Sequence, residues 1–238
     1  RIGAKRGDYT NGLFCAETAL TRNAENCVAG PIAALCQYRL GEKAAARRRV
    51  EGILAVDPLN HLARYVAVMI GMSNEKDFFS KLSSDPSQTC LDLAVDLKTC
   101  GFEAEAKELL SDLVTYRTTA VAPTVAYWIG KPELADPKHR TFPFRPEERE
   151  LLREQKDDFA KYLLGCLEFA HRRYEDAFLL WKDLPGYDAA RCRAVYYWKV
   201  GRHDDALRDL DRAISLAPDC DQLIYEKAYL LNHISYDA

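Results

Sequence analysis

Residues 198–220 read WKVGRHDDALRDLDRAISLAPDC, and residues 38–60 read YRLGEKAAARRRVEGILAVDPLN. Laid on one another, the two stretches share three positions. Gly41 matches Gly201, Ala46 matches Ala206, and Pro58 matches Pro218. Each position has a physical meaning. The Gly closes one helix where positive φ is often needed. The small Ala lets a second helix approach the first, and the Pro ends that second helix. Between them Val50, Ile53, Leu54 and Val56 fall at helical spacing. The unit is therefore a helix–turn–helix pair, and a pair that recurs defines an array.

Two further copies carry weaker punctuation. Residues 91–113 have Gly101 and Ala106 at the same spacing, and residues 162–184 have Ala177, with Arg172 where the Gly would stand. Residues 7–27 read as the second helix of a copy lacking its first, and 221–234 as the first helix of a copy never completed. The expected organisation is one helical repeat domain over 1–238. Its copies lie near 27–60, 61–86, 87–120, an irregular 121–157, 158–186 and 187–220, with 221–234 as a terminal helix. The copy at 61–86 has a short second helix, EKDFFSKLSS.

The pattern resembles the tetratricopeptide repeat, a helix–turn–helix unit of about 34 residues. Leu164 and Gly165 match its Leu-Gly pair; Ala46, Ala106, Ala177 and Ala206 match its packing alanine; Pro58 and Pro218 match its terminal proline. Ala33-Ala34 and Arg193-Ala194 depart from the Leu-Gly pair. The resemblance implies an all-α, right-handed α-solenoid of antiparallel helix pairs, with about five to six repeats and one irregular joint.

That joint is HRTFPFRPEERELLREQ, residues 139–155. Phe142 and Phe144 alternate with Thr141 and Pro143, which suits a short extended segment tucking its rings against neighbouring helices. Pro146 suits the first turn of a helix, Glu147 and Glu148 suit its positive end, and Leu151 and Leu152 follow on the buried side. His139, Arg140, Arg145 and the glutamates have no metal-motif spacing and no Ser or Cys nucleophile beside them. The stretch reads as a structural joint rather than an active site.

A second resemblance attaches here. FPFRPEERELL (142–152), VDPLNHLARY (56–65) and TCLDLAVDLKTCGFEAEAKELL (89–110) look like bacterial proteins in which a mutarotase-like β-sandwich domain of unknown function precedes a tetratricopeptide array. The resemblance spans roughly residues 50 to 185. It implies that carbohydrate-directed chemistry would sit on an upstream domain. The chain opens on Arg1 rather than Met, which points to a piece of something longer.

Composition narrows the partners. Apolar residues make up 48% of the chain and charged ones 29%, which suits a packed protein and argues against disorder. With 33 basic and 36 acidic residues the net charge is −3, so there is no long-range pull toward nucleic acid or anionic membrane. The cluster Arg47, Arg48, Arg49 points three ways from one helix and reads as a solvated face. No window approaches a membrane span and no signal peptide opens the chain. The eight cysteines include no CxxC pair, and most sit in apolar helical patterns as reduced core residues, which favours the cytoplasm. No cofactor is expected.

In helix-pair solenoids the first helices line the concave face. Those slots hold Tyr38, Tyr65, Phe159, Tyr162, Phe169, Arg191, Trp198, Tyr225 and Tyr229 as candidates for a ligand groove, with Arg39, Lys98 and Lys199 among them. Tyr and Trp offer contact area with a polar handle, suited to a peptide or an extended protein segment. Each aromatic has a second reading, as packing against the next helix. The Lys and Asn clamp of chaperone-tail binders is missing, since Pro31, Leu35, Tyr162 and Cys166 hold those slots. His61, His171, His203 and His233 are dispersed through separate copies. The expected function is a non-catalytic interaction module for a protein or peptide partner. The alternative is the helical part of a larger carbohydrate-related enzyme, with the upstream domain as its partner. Self-association through the half-copies is a third reading.

Overall fold

Glycine and arginine at the ends of the first helices organise the chain. The computed structural model describes residues 7–83, 86–117, 121–135 and 142–236. Among them the regular elements are helices, with one 3-10 turn at Pro132–Leu134 and an isolated bridge between Val121 and Ala135. His139, Arg140 and Thr141 lie outside the described residues. Two compact units meet in sequence at Thr141 and Phe142, inside the 139–155 stretch, and each is described by itself.

The first unit carries α1 (Tyr9–Arg22), α2 (Ala29–Arg39), α3 (Lys43–Val56), α4 (His61–Met69), α5 (Glu75–Ser80), α6 (Ser87–Thr99), α7 (Glu103–Arg117) and α8 (Pro123–Trp128). Short turns make α2 and α3, and α6 and α7, into closely packed antiparallel pairs. At Gly41, Gly71, Gly101 and Gly130 φ is positive. The next residue's N–H then reaches back past the turn: Glu42 to Gln37, Met72 to Ala67, Phe102 to Leu97 and Lys131 to Ala126, at 2.8–2.9 Å. This is the Schellman closure, which satisfies carbonyls that the helix end leaves open. Ala46 and Ala106, the packing alanines, are fully buried.

The short α5 is held by aromatics. Phe78 packs on Tyr65 at 5.3 Å and on Phe79 at 5.0 Å, and Phe79 stacks on Tyr116 at 5.6 Å. Its N-terminus is capped by Asn74, whose side chain accepts from the Asp77 N–H. Asn60 does the same for α4 and also donates to the Cys27 carbonyl, tying that helix back to the start of α2.

The second unit carries α9 (Pro146–Arg153), α10 (Asp158–Ala170), α11 (Tyr174–Trp181), α12 (Tyr187–Lys199), α13 (His203–Leu216) and α14 (Asp221–Tyr236). Here α10 pairs with α11 and α12 with α13, and α14 lies against α13. Gly201 closes α12 with φ 76°, and Arg172 closes α10 with φ 62°. Arg172 occupies the slot the other copies give to glycine, and Arg173 still makes the same long reach, to Glu168. Ala177 and Ala206 are fully buried.

The departure at Arg193 has a structural reason. Its buried guanidinium makes paired bonds to Asp209 of α13, both 3.0 Å, and donates to the carbonyls of Trp181 and Leu184 at 2.9 and 3.2 Å. It therefore caps α11 and locks α12 to α13, work a Leu could not do. Gly165 is needed for a different reason. A Cβ there would fall on the Trp181 indole, which donates to the Tyr162 carbonyl at 3.1 Å.

Segment 142–145 corrects one expectation. Phe142 and Phe144 are each 49% exposed, and the buried member of the alternation is Pro143. The rings do not tuck in. The capping expectation at α9 fares differently: the buried Glu148 accepts from the N–H groups of Phe144 and Arg145, both at 2.9 Å. Leu152 is buried.

Candidate ligand groove of the second unit

The three first-type helices of the second unit, α10, α12 and α14, carry seven of the nine expected groove residues. Four of them gather around one opening. A groove of about 510 Å³ is bounded by Ala194, Val195 and Trp198 of α12, Leu210 of α13, and Gln222, Tyr225, Glu226, Tyr229 and Leu230 of α14. Trp198, Tyr225 and Tyr229 line it directly, and Arg191 borders it through Glu226. Tyr225 is 74% exposed and Tyr229 63% exposed, so their rings stand out from the helix.

Its polar features are few and engaged. Arg191 donates through Nε and Nη2 to the Glu226 carboxylate at 2.5–3.0 Å, and Gln222 donates to the same carboxylate at 3.1 Å. The pairing raises the Arg191 pKa further, Glu226 being the main cause. At one end the Trp198 ring stacks on His203 at 4.8 Å and meets His233 edge-on at 6.0 Å. Tyr229 lies 4.3 Å from His233. Two histidines read as dispersed thus converge on one indole, because their positions are one turn and one helix away from it in the fold.

The other candidates are placed differently. Phe159 stacks on Tyr162 at 6.2 Å along α10. Tyr162 is half-buried and packs on the cluster of Ala177, Trp181, Leu184 and Ala189. Phe169 packs on the same cluster and on Tyr174, at 4.9 Å, which makes it a packing residue. In the first unit, Tyr65 is buried and packs on Phe78 at 5.3 Å. Tyr38 is half-buried under Lys43, whose ammonium lies 5.9 Å from its ring. Arg39 pairs with Glu105 at 2.5 Å, and Lys98 covers Trp128 at 5.2 Å.

Sequence reasoning missed Ala194, Val195, Leu210, Gln222, Glu226 and Leu230. The signal was the repeat itself, since residues one period apart on successive first helices face each other. Arg191 and Glu226 are such a pair. The cysteines divide by depth: Cys36, Cys90 and Cys100 are buried, Cys27 is exposed, and Cys15, Cys166, Cys192 and Cys220 are half-buried. Cys166, Cys192 and Cys220 pack against core clusters, so with the three buried ones six of the eight sit at the core, as expected. Among the described residues no group of three or more His, Cys, Asp or Glu is arranged to hold a metal, and no helix is long and apolar enough to cross a membrane.

No family model matches the chain, and none of the curated proteins matches it. Among solved structures, a tetratricopeptide repeat protein from Parabacteroides merdae aligns over 94% of this chain and 93% of its own, at 10% identity and TM-score 0.37. A thermophilic tetratricopeptide repeat protein of Thermus thermophilus aligns over 94% and 91%, at 17% identity and TM-score 0.26. A chain of the Naa15/Naa10 complex bound to HypK-THB aligns over 94% of this chain and 36% of its own, at 16% identity and TM-score 0.34.

Proposed function

We propose that this chain is a non-catalytic interaction module, and that its second unit grips an apolar or aromatic segment of a protein partner in the groove between α12 and α14. The observation that carries this reading is the pair Tyr225 and Tyr229. Both rings project from α14 beside an opening floored by Ala194, Leu210 and Leu230. Large rings that already stand at an apolar opening lose little freedom when a partner covers them, and contacts of this kind carry most of the binding energy at interfaces. The Arg191–Glu226–Gln222 set fixes the spacing of α12 and α14 and leaves the walls apolar.

A peptide side chain of Leu, Phe or Trp size suits the 510 Å³ opening. Nucleic acid is a poor fit, because the residues around the opening carry no free cluster of cations to neutralise phosphates. The test is capture from the lysate of the source organism, followed by binding of the purified partner to the wild-type chain and to Tyr225→Asp/Tyr229→Asp. The variant's helical signal is checked first. A loss of affinity of more than about tenfold is expected, in line with two aromatic anchors. An unchanged affinity overturns the groove as the binding surface.

A further inference from the structure

The buried carboxylate of Glu168 on α10 faces more guanidiniums than it can serve. Arg173, at the start of α11, donates from Nη1 to Oε2 at 3.0 Å. Arg149 and Arg153 stand one turn apart on α9, and both reach Oε1, the first through Nε at 2.8 Å and the second through Nη2 at 3.5 Å. Among the described residues no second carboxylate pairs with any of the three arginines. Three positive charges against one negative leave a surplus of two.

Arg149 is the worst served of the three. Its Nε is close to Oε1 but out of line with the N–H, and its Nη2 meets no acceptor, although both atoms are buried. These two N–H groups form one edge of the guanidinium, the edge that grips a carboxylate or a phosphate through two parallel bonds. A buried charged donor left without an acceptor carries a heavier penalty than a neutral one. Arg153 and Arg173 are both exposed, so their outer N–H groups are open to solvent.

We propose that Arg153 and Arg173 form the mouth of a binding site for a dianionic oxyanion of the phosphate class. The anion accepts from these two exposed guanidiniums and relieves Glu168 of them. Glu168 then turns onto the Nε–Nη2 edge of Arg149, and the buried pair closes with two bonds in line. The two charges of a phosphate group match the surplus of the cluster, whereas chloride or a single carboxylate leaves half of it uncompensated. The site is built from α9, α10 and the start of α11, and it does not depend on the groove between α12 and α14. Two sources share this chemistry: a phosphorylated side chain on a protein segment, and free phosphate.

The experiment titrates the full chain with inorganic phosphate in a calorimeter, at about pH 8 where the group is dianionic, with chloride holding the ionic strength constant. Saturable binding of one phosphate per chain is expected. Arg153→Gln/Arg173→Gln should weaken it at least about tenfold, while Arg47→Gln/Arg48→Gln, on the exposed run of α3, should leave it unchanged. Circular dichroism checks that both variants fold. A short peptide carrying one phosphoserine separates the sources. Binding at least about tenfold tighter than inorganic phosphate, with the serine counterpart silent, marks a phosphorylated partner, and equal affinities mark free phosphate. Glu168→Gln removes the competing carboxylate, so phosphate should raise its thermal unfolding midpoint by more than that of the wild type. This arm and the wild-type titration stand even where the double variant fails to fold. The proposal falls if the wild type shows no saturable phosphate binding, or if a folded Arg153→Gln/Arg173→Gln binds as tightly as the wild type. It also falls if phosphate raises the midpoint of Glu168→Gln no further than that of the wild type.

Discussion

Arg172 holds a backbone conformation that side chains other than glycine's pay for sterically. Its φ of 62° closes α10 where Gly41, Gly101 and Gly201 close their helices, and its side chain is exposed. Replacing it removes the clash between Cβ and the following carbonyl and costs no buried contact. Arg172→Gly is expected to raise stability by about 1 kcal/mol, less the extra freedom of glycine in the unfolded chain, as read from urea unfolding. Two glycines within helices behave oppositely. Gly165→Ala drives a methyl into the Trp181 indole and should cost about 2 kcal/mol. Gly52→Ala meets nothing within 4 Å and should gain up to about 1 kcal/mol from helix propensity. A Gly165→Ala variant as stable as the wild type would show that the indole moves aside freely. Asp112 supplies a pH signature. Burial first, then Glu108 and Glu75, push its pKa up to about 6 from the ordinary 3.8, partly offset by the Tyr65 hydroxyl. The folded chain thus holds this proton more tightly than the unfolded one. Its contribution is fully present below the ordinary value and is lost as pH rises through about 6. Between pH 4.5 and 7.5 the wild type should lose about 1 kcal/mol more than Asp112→Asn, after allowing for solvent screening at this half-exposed site. Equal losses in the two proteins would remove Asp112 as the source.

At the scale of elements, α9 is the piece a repeat does not predict, and Glu168 holds it. This carboxylate is only 2% exposed and sits among three guanidiniums: Arg149 of α9 at 2.8 Å, Arg173 at the start of α11 at 3.0 Å, and Arg153 of α9 at 3.5 Å. Removing it strands buried positive charge, since Arg149 is also largely enclosed. Glu168→Ala should lower stability by about 3 kcal/mol in urea unfolding, far more than a surface ion pair would. A change below about 0.5 kcal/mol would place the cluster among surface pairs. Legibility in the sequence follows the same line. Gly41, Gly101 and Gly201 were readable because each is followed by an Ala at the same offset. Gly71 and Gly130 perform the same closure but precede a very short helix and a 3-10 turn, so nothing downstream marks them. The alternation at 142–144 was readable, but a two-residue period does not say which face goes inward, and Pro143 took the buried side. Arg193 looked like a defect in the Leu-Gly pair because its partners, Asp209 and two carbonyls, belong to α13, to α11 and to the turn after it. Trp198, Tyr225 and Tyr229 line the opening between α12 and α14. Tyr65 and Phe169, also read as groove residues, pack inward instead, Tyr65 on Phe78 and Phe169 on Tyr174 and Trp181.

For the whole molecule, order should follow burial within each unit. The α12–α13 pair is closed by Arg193 and by Ala194, Ala206 and Leu210, whereas α14 is buried chiefly through Leu223 and Leu230. Amide exchange is expected to be slowest in α12 and α13 and to rise along α14, whose Ile224, Tyr225, Tyr229 and Leu231 face outward. Uniform protection through α14 would contradict that ranking.

The three tryptophans occupy three different settings. Trp128 is buried in the first unit, Trp181 is buried with its N–H on the Tyr162 carbonyl, and Trp198 is half-buried at the groove. Intrinsic fluorescence can therefore be assigned by exclusion. With Trp128 and Trp181 replaced by Phe, emission comes from Trp198 alone, and its colour and quenching by iodide report directly whether the opening between α12 and α14 is filled. The protein carries its own optical gauge of occupancy, readable without a dye and before the identity of any ligand is known.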